Sequence, residues 1–177
     1  MSNDDYMIRG QDGRTAELRE SIRRAFPSET YLGEITLYDD KLDDPELDDE
    51  KYLYEALKGR RWTDIPQQLV DSRPDGYVRF TGEAFAAFLA AWLIRSLENI
   101  DGENEVRDFV VYAFSPKHDM VPDTTDFVLH QLRALSPEQR DTLRSLLLEF
   151  AERDPSAFQR KLASEAVALI DTLKRSS

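Results

Sequence analysis

Apolar residues recur along this chain at helical spacing. Leu18, Ile22, Ala25 and Phe26 fall at i, i+4, i+7 and i+8, which predicts a helix that Thr15 caps and Pro27 ends, with Arg19, Glu20, Arg23 and Arg24 on its opposite face. Residues 1–14 are polar and contain Gly10 and Gly13; they read as a flexible N-terminus ahead of a single globular domain over 15–177. Ile35-Thr36-Leu37-Tyr38 suits a short strand or an extended connector. Asp48 and Asp49 are placed to start a helix through Leu53, Ala56 and Leu57, because carboxylates favour a helix N-terminus, and Gly59 suits its C-terminal cap. Asp64 is positioned to cap a short helix through Leu69 and Val70. Arg73-Pro74-Asp75-Gly76 is turn chemistry, and the alternation in Tyr77-Val78-Arg79-Phe80 predicts a second short strand.

The centre of the pattern follows. Thr81 caps a helix in which no charged residue falls between Glu83 and Arg95, so it is apolar nearly all round and predicted to be buried on several sides. After a polar break at Asn99–Glu105, the spacing of Val106, Phe109, Val110 and Ala113 predicts a helix over 106–114, and a short helix covers 127–135. Ser136-Pro137-Glu138-Gln139 is a start signal, with Ser as cap, Pro first and Gln third. Leu143, Leu146, Leu147 and Phe150 form the stripe behind it. Asp154-Pro155 starts a last helix in the same way, its stripe being Phe158, Leu162, Ala166, Leu169 and Leu173. The expected fold is mainly α: a single-domain helical bundle around a central apolar helix (81–97), a C-terminal helical hairpin (137–174), and at most one or two short strands.

Composition sharpens this picture. The chain has 177 residues, enough to bury roughly 70% of its unfolded surface without a disulfide or a metal. Charged residues make up 33%, and 35 acidic against 23 basic side chains give a net charge of −12. That balance disfavours direct binding to nucleic acid or to anionic membrane, and suits a basic protein partner. The longest apolar run, Ala84 to Ile94, covers eleven residues, whereas a membrane span needs about 20. Met1-Ser2-Asn3-Asp4-Asp5 has neither the basic start nor the apolar stretch of a signal peptide, so the expected setting is cytoplasmic.

No catalytic constellation emerges. There is no Cys, which removes thiolate zinc sites and cysteine nucleophiles together. His118 and His130 lie twelve apart without metal-ligand spacing, the seven glycines are isolated, and no serine stands in a nucleophile elbow. No catalytic residue, metal ligand or cofactor is assigned. One segment stands out. Asp39 to Glu50 holds eight carboxylates and one Lys, a net of −7 in twelve positions. It does not follow the EF-hand calcium pattern, because no Gly follows the acids and Leu42 and Pro45 intrude. Its readings are a solvated loop, an intramolecular match to Lys58, Arg60 and Arg61, or a docking surface. Like charges this dense repel one another, which gives the docking reading weight. Its candidate partner-binding residues are Asp39, Asp40, Asp43, Asp44, Asp48, Asp49 and Glu50, with Tyr38 and Trp62 as anchors, although for Trp62 core packing is the favoured reading.

Several landmarks taken in order resemble an uncharacterised family of small bacterial proteins, a domain of unknown function. They are Ile22-x-x-Ala25-Phe26, Tyr31-x-Gly33, the acidic stretch, Trp62-Thr63-Asp64-Ile65, Phe80-Thr81-x-Glu83-Ala84-Phe85 with Ala91-Trp92-Leu93, and Leu135-Ser136-Pro137-Glu138-Gln139. The resemblance spans Thr15 to Glu152, with the final helix from Pro155 as an extension. It implies a bacterial, cytoplasmic, mostly helical protein and no particular activity.

The residues together lead to a non-enzymatic protein-binding module of the immunity type, which would dock a basic bacterial toxin or nuclease through segment 39–50 as a monomer or homodimer. The alternatives are a small enzyme with an unfamiliar carboxylate site and a structural or assembly subunit.

Overall fold

Helices alone make up the regular structure of the described residues: nine α-helices and one 3-10 turn. The structure, a computed structural model, describes residues 3–29, 37, 48–116 and 125–175; of residues 3–12, 48 and 49 only the helical backbone is described. The helices are α1 (Asn3–Ala25), α2 (Asp48–Leu57), α3 (Gln67–Ser72), α4 (Gly82–Phe88), α5 (Ala90–Ser96), α6 (Glu105–Phe114), α7 (Thr125–Ala134), α8 (Pro137–Arg153) and α9 (Ala157–Arg175), with the 3-10 turn at Trp62–Asp64. The fold is mainly α, as the spacing predicts.

Helices α8 and α9 form the predicted hairpin, joined by residues 154–156. Leu143, Leu146, Leu147 and Phe150 face Leu162, Ala163, Ala166 and Ile170 across a dry seam. Helix α1 lies antiparallel on α8: Arg24 meets Glu138 at one end (3.7 Å) and Arg14 meets Glu152 at the other (2.9 Å). Helix α5 packs on α6, α6 on α9, and α4 on α7. Tyr77, Phe80, Phe85, Trp92 and Phe114 fill the middle, their neighbouring ring centroids 5.5–6.2 Å apart.

The predicted central helix is two helices. Its backbone stays in the right-handed region at Leu89 (φ −51°, ψ −34°) but α4 ends at Phe88 and α5 begins at Ala90. A side chain sits in the ladder there. Gln139 Nε2 donates to the Ala86 carbonyl (3.0 Å), the acceptor that an unbroken helix offers to the Ala90 N–H. Both halves remain buried, so the apolar pattern is right about burial and silent about the break.

Several caps are as expected. Thr81 Oγ1 accepts from Ala84 N–H, Ser136 and Gln139 form a reciprocal capping box, and Gly59 ends α2 at φ +68°. Other expectations are corrected. Helix α1 begins at Asn3 and runs through Thr15, which therefore is not its cap. Tyr77–Phe80 is not a strand: Gly76, Val78 and Phe80 donate to the carbonyls three residues back, and this winding buries Tyr77 and Phe80 together. The short helix after Trp62 starts at Gln67, because Asp64 turns back to accept from the Arg61 N–H instead. Phe158 lies off the buried face of α9 and is 53% exposed. Ser156, not Asp154, caps α9, since its Oγ accepts from Gln159 N–H (3.3 Å). The strand-or-connector segment around Ile35 lies outside the described residues.

Candidate functional site

Tyr38, Asp39, Asp40, Asp43 and Asp44 lie outside the described residues. Asp48 and Asp49 form the first positions of α2, and Glu50, half-buried, pairs with Arg79. Of the three cations proposed as an internal match, Lys58 stands over the Tyr54 ring (5.9 Å to its centroid) and Arg60 donates to the Asp64 carbonyl. Of the two readings of Trp62, core packing holds and the anchor role is corrected: it is 7% exposed, and its indole N–H donates to the Phe26 carbonyl at 2.9 Å. It belongs to the core and presents no anchor to a partner.

Buried residues lie on either side of the acidic segment. Leu37, just before it, is 1% exposed, and its carbonyl accepts from Thr81 N–H (2.8 Å). Leu53 and Leu57, just after it, are buried. Beside the segment Tyr52 is 58% exposed, with the Arg73 guanidinium 5.9 Å from its ring centroid. The sequence reading missed Tyr52. Its signal is its register: Lys51, Tyr52 and Glu55 share the face of α2 opposite Leu53 and Leu57.

Two groups of buried charge lie elsewhere in the fold, and neither was foreseen. Arg107, in the first turn of α6, is 2% exposed and Asp154 is 1% exposed; their Nε and Oδ2 lie 2.7 Å apart. The Nε–H is not aimed at that oxygen, so the contact is a charge pair and not a directed hydrogen bond. The directed bonds go elsewhere. Arg107 Nη1 donates to the Ile100 carbonyl (2.8 Å) and Nη2 to the Gly102 carbonyl (2.6 Å), while Asp154 Oδ1 accepts from Ser156 N–H (2.8 Å). Asp108, beside them, has its pKa raised by burial, which outweighs the opposing pull of Arg107.

The second group is built on Glu149, also buried. It meets Arg14 of α1 (2.9 Å) and Arg153 one turn along α8 (3.0 Å). Arg153 in turn grips Asp101 through Nε (3.0 Å) and Nη2 (2.6 Å). The loop 97–104 is thus held by arginines from two different helices. A signal existed for one of them. Arg107 occupies the first position of the stripe 107, 110, 111, 114, whose other members, Val110, Val111 and Phe114, are all buried.

On the outside of that loop is a shallow cleft of about 350 Å³, lined by Asp71, Arg95, Glu98, Asn99, Glu103 and Glu105 among others. Two of its carboxylates are matched by arginines. Arg95 holds Asp71 with two bonds (2.6 and 3.0 Å), which raises the Arg95 pKa, and Arg19 reaches Glu98 at 2.8 Å. Among the described residues no three or more acids or histidines gather as a metal site, and no helix is long and apolar enough to cross a membrane. His130 is exposed on α7, and His118 lies outside the described residues.

The landmark side chains have a common task. Trp62 donates to the Phe26 carbonyl, Trp92 to that of Arg73 (2.9 Å), and Gln139 to that of Ala86. Tyr77 reaches the Phe109 carbonyl (3.1 Å), and Gln131 that of Val78 (3.1 Å). Each fastens one element to the backbone of another. What they define is a mainly helical domain built round a broken apolar helix and closed by a helical hairpin. The chain belongs to a family of unknown function, DUF6714, whose sequence profile matches residues 14–169. The match runs well into α9, so the last helix is part of the family's own unit and not an extension. No curated protein and no solved structure matches the chain.

Proposed function

We propose that this protein is a non-enzymatic protein-binding module that docks a basic protein through its acidic segment, in the manner of an immunity protein that inhibits a toxin or nuclease in the bacterial cytoplasm. The observation that carries the reading is the charge: a net of −7 within Asp39–Glu50. Two features of its flanks support it. Leu37 before the segment and Leu53 after it are buried in the core, so the chain enters and leaves this stretch from the body of the domain. Exposed Tyr52 supplies an amphipathic ring next to the acids, and takes the anchor role that Trp62, being buried, does not fill. Asp39, Asp40, Asp43, Asp44, Asp48, Asp49 and Glu50 are the docking residues, with Tyr38 and Tyr52 as anchors.

The test is titration calorimetry against the basic protein encoded next to this gene, or, failing one, against a basic protein recovered on the immobilised chain. Asp39, Asp40, Asp43, Asp44, Asp48 and Asp49 changed together to Asn should weaken binding at least tenfold and flatten its salt dependence. Unchanged affinity would overturn the docking role.

A further inference from the structure

We draw no further inference here: the strongest candidate, the cleft between α3, α5 and the loop 97–104, is a cluster of carboxylates in which Asp71 and Glu98 are already matched by Arg95 and Arg19, and no second feature of the structure marks a ligand there.

Discussion

Where α8 meets α9, apolar side chains hold the seam and the Arg144–Asp171 pair stays at its rim; in the stretch from Leu97 to Asp108 the arrangement is inverted. The hairpin buries Leu146, Phe150, Leu162 and Ile170, and leaves its Arg144–Asp171 pair half-exposed. The loop 97–104 has few apolar side chains of its own. It is kept in place by the buried guanidinium of Arg107 and by Arg153. A seam of methyl groups tolerates small displacements, because its attraction is non-directional. A buried ion pair does not: removing one partner strands the other in a low-dielectric interior. The two regions therefore differ in how they fail, and substitutions can make that difference visible.

The largest effect is expected at Arg107. Arg107→Ala leaves Asp154 buried without its counter-charge and three carbonyl contacts unmade, and should cost about 3–5 kcal/mol in urea unfolding. Arg107→Met combined with Asp154→Asn should cost less than Arg107→Met alone, since the Asn keeps an acceptor for Ser156 N–H and removes the stranded charge. Additive costs would mean that the pair is not coupled.

Gln139→Ala comes next, at about 1–3 kcal/mol, because it removes both the side-chain half of the capping box and the donor to Ala86. Hydrogen exchange should show faster opening around residues 86–90. A change confined to the start of α8 would reduce Gln139 to a cap.

At the hairpin rim Arg144→Ala should cost less than ~1 kcal/mol, as exposed pairs do. The Arg144 hydrogen bond lowers the pKa of Asp171, so the contribution of that carboxylate is present above its ordinary pKa of 3.8 and is lost as pH falls through the lowered value. Asp171→Asn should therefore be less sensitive to acid than the parent chain.

Asp108 has the opposite sign. Its raised pKa means that the folded state holds the proton more tightly than the unfolded chain does. That contribution favours folding below the ordinary 3.8 and disappears as pH rises through the raised value, leaving a penalty at neutral pH. Asp108→Asn should gain stability at pH 7, by less than ~1 kcal/mol because solvent screens a half-exposed group, and lose that gain in acid. The same gain at both ends of the pH range would contradict the burial argument.

Helical spacing carries most of the architecture. Leu143 to Phe150 and the Ser-Pro-Glu-Gln start are strictly local signals, read from one helix without knowing its neighbours. What escapes such reading involves two distant segments at once. The break at Leu89 depends on Gln139, fifty residues further on, and nothing near Leu89 announces it. Arg107 stands on the apolar stripe of α6, but the charge that matches it, Asp154, and the carbonyls at 99–102 belong to other segments. Packing is the favoured reading of Trp62, yet the carbonyl it bonds belongs to Phe26 at the end of α1, which no local pattern shows. Tyr77 and Phe80 alternate like strand residues, and only the turn that winds them inward shows why both are buried. The acidic segment was legible as charge, and its flanks now add two buried anchors and one exposed ring.

The hydrogen bonds that the side chains of Trp62, Trp92, Tyr77, Gln131 and Gln139 donate all end on main-chain oxygen, which every amino acid carries. Each therefore ties down the identity of one residue and leaves that of the other unconstrained by the bond. The bonds to Arg73 and Val78 place no demand on which side chains those two positions carry, whereas they require Trp92 and Gln131. Across related sequences these joints would leave invariant single columns without correlated partners, so methods that infer proximity from paired substitutions would pass over the fastenings that hold this domain together.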